Sequence, residues 1–191
     1  MLDSVTQETL NSEIHRLCDL FSQGSVKEVL TQVNQLLKRF PDATALHIIA
    51  GDANTKLKRF DTAIENYTKA IDLKPDFAVS HFNLGVVFQD KGDSKAALQS
   101  YRKAVILNPN YLEAHYNIGS ILHDSGDFKA AIESYEKILA IDPNYSKAHN
   151  NMGTALKELG NIFAMKGDFP NAITHLEKAL QVNAKDPEIY N

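Results

Sequence analysis

The chain has 191 residues, of which 43% are hydrophobic and 23% charged, and its formal net charge is −4. This share of apolar residues is sufficient to bury a core, so the composition excludes a chain that is disordered throughout. Lysine and arginine are scattered among aspartate and glutamate, whereas nucleic acid binding requires a concentrated basic face. We therefore expect a folded chain with no nucleic acid partner.

The single cysteine, Cys18, excludes an intrachain disulfide and a cysteine-based metal site. Because it lies on an apolar helical stripe with Ile14 and Phe21, we expect it to pack there as an unreactive side chain. Residues 1–21 contain early acidic residues and no continuous apolar segment, which excludes a signal peptide. No apolar run approaches the roughly 20 residues of a membrane helix, so we expect a cytoplasmic chain with no membrane partner.

Five residue types recur along the chain at intervals of 34 residues, which indicates an internal repeat. The recurring residues are Pro41, Pro75, Pro109 and Pro143; Gly51, Gly85, Gly119 and Gly153; His47, His81, His115 and His149; Ala63, Ala97 and Ala131; and Tyr67, Tyr101 and Tyr135. The first copy, residues 11–41, keeps Gly24 and Pro41 but has Leu17 in place of the helix glycine. Such degeneracy is typical of a terminal repeat.

Copies two to four, residues 42–75, 76–109 and 110–143, have the spacing of two helices joined by a short turn. In the third copy one apolar stripe runs from His81 to Phe88 and a second begins at Ala97. A proline ends the second helix because it cannot donate the helical hydrogen bond. Each copy is therefore predicted to be a helical hairpin with antiparallel helices.

The glycines have two predicted roles. In the turn "KGD", Gly92 suits a left-handed C-cap and Asp93 an N-cap. Gly85 lies within a helix, where glycine costs ~1 kcal/mol relative to alanine. We expect it to face Ala97 and Ala104, so that small residues on both helices let the two backbones approach closely.

This pattern resembles the tetratricopeptide repeat (TPR), and the third copy matches it with Leu84-Gly85, Phe88, Ala97, Tyr101, Ala104 and Pro109. The resemblance covers residues 11–184 and implies an all-α fold. It implies a single right-handed TPR solenoid over residues 1–191, built from about five 34-residue repeats of antiparallel helix hairpins. The segments "NLG" and "KGD" are most similar to the repeats of the TPR superhelix of O-linked N-acetylglucosamine transferase.

The fifth copy, residues 144–184, is longer than the others by seven residues, because "GTALKEL" is followed by the similar segment "GNIFAMK". Seven residues are nearly two helical turns and shift the apolar stripe by only ~20°. We therefore predict a first helix lengthened by two turns, between Tyr145 and Lys166. Its second helix is predicted to begin near Pro170.

Residues 185–191 are predicted to begin a sixth copy, in which Tyr190 takes the place of the recurring histidine. A natural solenoid ends in a polar capping helix rather than in part of a repeat. We therefore expect the chain to be a fragment of a longer protein.

The recurring histidines do not predict a metal site. Equivalent residues of stacked repeats lie ~8–10 Å apart, whereas zinc requires its nitrogen ligands at ~2.0–2.1 Å. We expect each histidine to pack between the helices of its own copy and to donate a ring N–H to a neighbour. The chain also lacks a nucleophile elbow, a P-loop, an HExxH motif and a dinucleotide fingerprint. We therefore expect no catalytic residue, no metal, no cofactor and no enzymatic activity.

Asn83, Asn117 and Asn151 each lie two positions before a recurring glycine, about 200° around the helix from it. They are therefore predicted to be exposed, facing away from the hairpin core, and in TPR solenoids this position faces the concave groove. One amide carries both a donor and an acceptor and can bind the backbone of an extended peptide. The resemblance to the transferase implies an asparagine ladder with this role, beginning at the third copy because Ile49 takes the position in the second. The alternative is that asparagine is simply tolerated on a solvated face.

Six neighbouring positions complete the predicted peptide-binding groove. The first three are apolar, and the last two make the far end polar and partly basic. They are Val79, Phe82, Val86, Tyr116, Lys147 and Asn150. An extended peptide with an apolar portion and a polar or acidic portion would suit this surface.

The predicted function is a protein–protein interaction module that binds a protein or peptide ligand in this groove. Two alternatives remain open at this point. The chain could be a scaffold that forms homo-oligomers, with Leu159, Ile162 or Phe163 exposed on the lengthened helix or through its C-terminal stacking face. It could instead be the regulatory or substrate-recruiting arm of a longer transferase whose catalytic domain lies outside this sequence.

Overall fold

The computed structural model describes residues 4–183, which form ten α-helices and no β-strand. Their bounds are α1 Ser4–Ser22, α2 Val26–Arg39, α3 Thr44–Lys56, α4 Phe60–Leu73, α5 Ala78–Asp90, α6 Ser94–Leu107, α7 Leu112–Asp124, α8 Phe128–Ile141, α9 Ser146–Met165 and α10 Phe169–Asn183. Consecutive helices pair into five hairpins, whose first helices are α1, α3, α5, α7 and α9. The predicted all-α fold is confirmed. The predicted sixth copy, residues 185–191 with Tyr190, lies outside the described residues.

The chain divides into two compact units, residues 1–107 and residues 108–191, called here the N-terminal and the C-terminal unit. The N-terminal unit contains three hairpins, stacked through contacts of α2 with α3 and of α4 with α5. The C-terminal unit contains two hairpins, stacked through contacts of α8 with α9. The arrangement of all five hairpins as one continuous solenoid stays a prediction.

The turns within the hairpins form as their residues predict. Gly92 and Gly126 have φ angles of +87° and +82°, in the left-handed region that favours glycine. The next residue caps the following helix: Asp93 Oδ1 accepts from the Ala96 N–H at 3.0 Å, and Asp127 does the same one copy later. The chain is therefore reversed within three residues, and the paired helices run antiparallel.

The helix glycines are required by tyrosine rings rather than by alanines, which corrects the predicted reason for them. A Cβ at Gly119 would lie 2.6 Å from the ring of Tyr135, far below van der Waals contact. The same holds for Gly85 against Tyr101, at 2.6 Å. The recurring tyrosine lies directly on the glycine of the facing helix, so the two residue types recur together.

The lengthened helix α9 confirms the prediction for the fifth copy. It has 20 residues, whereas α5 and α7 have 13. Gly160 faces the partner helix: a Cβ there would lie 2.9 Å from Leu176 Cγ and 3.2 Å from the carbonyl oxygen of Ala172. The extra residues are therefore accommodated before Gly160, and the hairpin of α9 with α10 keeps the register of the shorter hairpins.

Each recurring histidine donates a hydrogen bond, as predicted, and its partner is the proline that ends the previous copy. His115 Nε2 lies 2.8 Å from the carbonyl oxygen of Pro109, and His149 Nε2 lies 2.8 Å from that of Pro143. A carbonyl oxygen can only accept, so Nε2 carries the proton. Each histidine side chain thereby links the loop between two hairpins to the first turn of the next helix by a hydrogen bond.

The prediction that Cys18 packs within the apolar stripe is wrong, because this side chain is exposed. On α1, Leu17 is fully buried and Leu10 is 4% exposed. Cys18 follows Leu17, and neighbouring residues on a helix differ in direction by about 100°. The buried stripe therefore centres on Leu10 and Leu17 and leaves Cys18 at its solvent side.

Candidate functional site

The three recurring asparagines lie on the first helices of their hairpins, Asn83 on α5, Asn117 on α7 and Asn151 on α9. All three are half-buried, so the prediction that these positions are exposed is wrong. Asn83 and Asn151 donate hydrogen bonds to other side chains of the described residues. Their surroundings differ between the two units and are described separately.

In the N-terminal unit, Asn83 lies in the wall of a cavity of about 730 Å³. Three of the first helices, α1, α3 and α5, contribute side chains to this cavity, together with α4 and the turn before it. The lining residues are Phe21, Asp52, Thr55, Lys56, Lys58, Phe60, Tyr67, Phe82, Asn83, Val86 and Asp90. Three of the predicted groove residues, Phe82, Asn83 and Val86, are thus brought together.

The carboxylate of Asp52 is the centre of a hydrogen-bond cluster in this cavity. Its Oδ1 accepts from the Tyr67 hydroxyl at 2.5 Å and from the Asn83 Nδ2 at 3.1 Å. Burial raises the pKa of Asp52, opposed by the two hydrogen bonds and by the attraction of Lys56. The pKa of Tyr67 is also raised, by burial and then by the neighbouring negative charge of Asp52.

Sequence reasoning missed Asp52 as a functional candidate. The corresponding positions of the next three copies hold Val86, Ser120 and Thr154, so no recurring pattern draws attention to it. Its position in the repeat could have indicated it, because Asp52 directly follows Gly51 and is equivalent to the predicted groove residue Val86. Its partner Asn83 is 31 residues away in sequence, a distance set by the stacking of one hairpin on the next.

In the C-terminal unit, Asn151 bonds to the preceding hairpin. Its Nδ2 donates to the Tyr116 hydroxyl oxygen at 3.2 Å. The Tyr116 ring lies 6.3 Å from those of Tyr135 and Tyr145, centroid to centroid. Burial raises the pKa of Tyr135 to about 12, although a hydrogen bond with Asn151 opposes the shift.

The Asn117 amide differs from the other two. Within the described part of the C-terminal unit, no side chain or carbonyl group bonds to it. In sequence, the residue 34 positions after Asp52 is Val86, whose side chain has no hydrogen-bond acceptor.

The remaining predicted site residues lie apart from these clusters. Val79 is half-buried in the first turn of α5 and is not part of the cavity lining. Lys147 and Asn150 are exposed near the start of α9, and the Asn150 carbonyl accepts from the Thr154 hydroxyl at 3.1 Å.

Between residues 4 and 183, the structure contains no group of three or more histidine, cysteine, aspartate or glutamate residues arranged to hold a metal ion. None of the helices in that range is both long and apolar enough to cross a membrane.

Family comparisons agree with this hairpin architecture. One tetratricopeptide repeat model matches residues 108–185, and a second TPR model matches residues 51–92 and 88–124. Together the matches span most of the chain. The chain is a tetratricopeptide repeat protein. No curated protein matches its sequence.

Solved TPR structures resemble this TPR chain over nearly its whole length. A crystal structure of MamA protein has 24% sequence identity and a TM-score of 0.73, with 94% of each chain covered. MamA from Desulfovibrio magneticus RS-1 has 20% identity and a TM-score of 0.69, covering 91% of this chain and 94% of that one. The structure of YrrB, described as "a TPR protein with an unusual peptide-binding site", has 21% identity and a TM-score of 0.68, covering 95% and 93%. At these identities the likeness shows the fold.

Proposed function

We propose that this TPR chain is a non-catalytic protein–protein interaction module that binds an extended segment of another protein. The segment lies along the first helices of the hairpins, and Asn83, Asn117 and Asn151 bond to its backbone. The observation that carries the proposal is the cavity of about 730 Å³ on the first helices of the N-terminal unit, with Asn83 in its wall. The proposed ladder is of the kind implied by the similarity to the O-linked N-acetylglucosamine transferase repeats.

The chemistry of the three amides supports this proposal. Asn83 and Asn151 each use an N–H for a bond within the protein, and these bonds orient the amide while leaving its oxygen as an acceptor. A peptide backbone offers one N–H and one carbonyl per residue, so it can bond to every amide irrespective of its side chains. The family also supports it, since TPR proteins generally mediate protein–protein interactions and YrrB is described as having an unusual peptide-binding site.

The decisive test is the single substitution Asn117→Ala. Because Asn117 has no hydrogen-bond partner in the described part of its unit, the free energy of unfolding is expected to change by only ~0.5 kcal/mol. Binding of extended peptides selected from a random peptide library should weaken about fivefold, since one ligand hydrogen bond is lost. Isothermal titration calorimetry gives the affinity, and urea unfolding gives the stability.

The matched control is the double variant Asn34→Ala and Asn66→Ala. Both residues lie on second helices, α2 and α4, away from the proposed groove. It should bind the same peptides as tightly as the unchanged chain. A library that yields no binder, or peptides that bind the Asn117→Ala variant equally well, would contradict the proposal.

A second candidate, self-association, is favoured by an apolar surface at the end of the C-terminal unit. Leu159, Ile162 and Phe163, which were predicted to be exposed, are half-buried. The exposed residues are instead Met165 at 89%, Phe169 at 65%, Ile173 at 56% and Leu180 at 72%. Ile132 occupies in α8 the position that Ile173 occupies in α10. Its exposure is only 7%. The outer face of α10 therefore has the composition of a stacking face.

Light scattering of the full chain tests this candidate. If a second copy covers this face, the double substitution Ile173→Asp and Leu180→Asp should convert an oligomer into a monomer. Ile106→Asp is the control, because Ile106 is equally exposed, at 70%, but lies in the N-terminal unit. A monomer in every variant would reject self-association.

A further inference from the structure

We propose that the cavity of the N-terminal unit is an anchoring subsite for an arginine side chain of the bound segment, with Asp52 as its counter-ion. This inference rests on the proposed function, because it takes the arginine to belong to the ligand. It adds a requirement for one residue type at one position, which backbone bonding by the asparagines does not supply.

The charge of Asp52 is the first reason. Among the described residues Asp52 forms no ion pair, and the two hydrogen bonds that it accepts come from neutral donors, both to Oδ1. Buried carboxylates are normally paired with a cation, because hydrogen bonds alone replace only part of the lost hydration. Because it lacks a counter-ion among the described residues, this carboxylate suits a cation that enters the cavity from outside.

The side chains around Asp52 indicate which cation fits. Three phenylalanines line the cavity, namely Phe21, Phe60 and Phe82. A guanidinium group is planar and weakly hydrated, so it stacks on aromatic rings while it bonds to a carboxylate. An ammonium group is compact and strongly hydrated and loses more on entering such surroundings. Arginine is accordingly preferred to lysine.

Lys56 and Lys58 also line the cavity, but they do not reverse this preference. Both side chains are exposed, and charges in contact with solvent are screened by water and salt. Asp52 is half-buried and bonded to the Tyr67 hydroxyl, and in such surroundings the effective dielectric constant is lower and an ion pair is stronger. Asp90 adds a second acidic side chain to the lining.

The subsite is confined to one place in the repeat array. The residues that correspond to Asp52 in the next three copies are Val86, Ser120 and Thr154, none of them acidic. Only the second copy therefore offers a carboxylate at this groove position. An arginine in the ligand would fix its register, whereas the repeated asparagines alone would permit it to slide from copy to copy.

The test compares four pentapeptides, acetyl-Gly-Gly-Xaa-Gly-Gly-amide, in which Xaa is arginine, lysine, citrulline or glutamate. Citrulline has the shape of arginine without its charge. Binding to the full chain is followed by NMR, with the Tyr67 and Asn83 signals reporting on the cavity. We expect the arginine peptide to bind about tenfold more tightly than the citrulline peptide, because only arginine forms a charge-assisted hydrogen bond with the carboxylate.

Two variants with the same change of net charge complete the experiment. Asp52→Asn keeps an oxygen that accepts from Tyr67 and Asn83, so the fold is retained, and it should abolish the preference for arginine. Asp72→Asn removes an exposed carboxylate of α4 outside the cavity and should leave the preference intact. Equal binding of the arginine and citrulline peptides would overturn the proposal. Tighter binding of the glutamate peptide would also overturn it and would assign the cavity to Lys56 and Lys58.

Failure of this inference is distinguishable from failure of the groove proposal. The Asn117 side-chain signals report on backbone binding, because Asn117 lies outside the cavity lining. If library-selected peptides shift Asn117 whether or not they contain arginine, the arginine subsite is wrong and the groove stands. If N-acetylarginine methylamide shifts Tyr67 and Asn83 while no peptide shifts Asn117, the subsite is supported and the groove proposal is wrong.

Discussion

At the scale of single residues, the Asp52 carboxylate distinguishes the second copy of the repeat from the copies that follow it. It joins α3 to α5 through Asn83 and to α4 through Tyr67. The asparagine position was recognisable from the 34-residue period, but the bond to Asp52 was not. That bond depends on which side chains the stacking of two hairpins brings within 3.1 Å.

The raised pKa of Asp52 predicts a pH dependence of stability. Since its pKa in the folded chain lies above the ordinary value of 3.8, the folded chain binds more protons there than the unfolded chain does between the two pKa values. Stability therefore falls as the pH rises through that window. Asp52→Asn removes this loss, so its stability relative to the unchanged chain should be higher at neutral pH than near pH 4.

Urea unfolding at several pH values measures this difference, and the subtraction cancels the other carboxylates. Asp72→Asn is the control, because its carboxylate is exposed. A difference between Asp52→Asn and the unchanged chain that is independent of pH would contradict the assigned burial of Asp52.

The histidines provide a second prediction at this scale, since the partner of each ring determines its tautomer. His47, His81, His115 and His149 bond to a carbonyl through Nε2, and should be protonated there. In contrast, His15 and His175 place Nδ1 at 2.8 Å from a carbonyl oxygen and should be protonated at Nδ1. Long-range ¹H–¹⁵N spectra above pH 7.5 distinguish the two tautomers, and one common pattern for all six would contradict the assignment.

At the scale of helices, the pairing of glycine with tyrosine sets the distance within a hairpin. We predict that Gly119→Ala destabilises the fold by ~1–3 kcal/mol, because the new methyl group overlaps the Tyr135 ring. In an exposed helix the same substitution would be stabilising. The sign of the change in urea unfolding therefore tests the contact.

Two variants control this prediction. Ser120→Ala lies one residue further on the same helix and is expected to change stability by only ~0.5 kcal/mol. Combining Gly119→Ala with Tyr135→Leu should recover part of the loss caused by the overlap, since the two sites are in contact. Independent, additive effects would show that the glycine serves another purpose.

The length of α9 gives a further prediction. Deleting residues 153–159 leaves a helix of 13 residues, the length of α5 and α7, with Gly160 in the place that Gly85 and Gly119 hold in those helices. Because seven residues turn the helix by nearly two full turns, both faces of α9 stay aligned to within ~20°. We expect this variant to fold with a cooperative transition.

The control deletes only residues 153–157. Five residues rotate the remaining helix by ~140°, which would turn Gly160 away from Leu176. Circular dichroism and urea unfolding should show a large loss of stability for this variant alone. Similar stabilities of both deletions would mean that α9 tolerates any register.

At the scale of the whole molecule, stability is expected to follow the number of stacked hairpins. In repeat proteins each unit gains most of its stability from its neighbours, and about three repeats are needed for a stable fold. The N-terminal unit has three hairpins and the C-terminal unit has two. Expressed separately, residues 1–107 should unfold at a higher urea concentration than residues 108–191. The opposite order would show that the lengthened α9 more than replaces a third hairpin.

The sequence by itself determined the helices, turns and hairpins of this protein. The 34-residue period, the turn glycines and the length of α9 all follow from local preferences, which depend only on residues close together in the chain. Those features needed no knowledge of how the hairpins stack, and the described helices agree with them.

Only the tertiary structure decided which side chains meet. Asp52 with Asn83, and Tyr116 with Asn151, are 31 and 35 residues apart, and the exposure of Cys18 contradicted the helical stripe drawn from sequence. Direction changes by about 100° per residue on a helix, so a small rotation in packing decides whether a side chain is buried, paired or free. The period therefore locates the candidate groove, whereas the packing of successive hairpins places a half-buried, hydrogen-bonded carboxylate at one position of it.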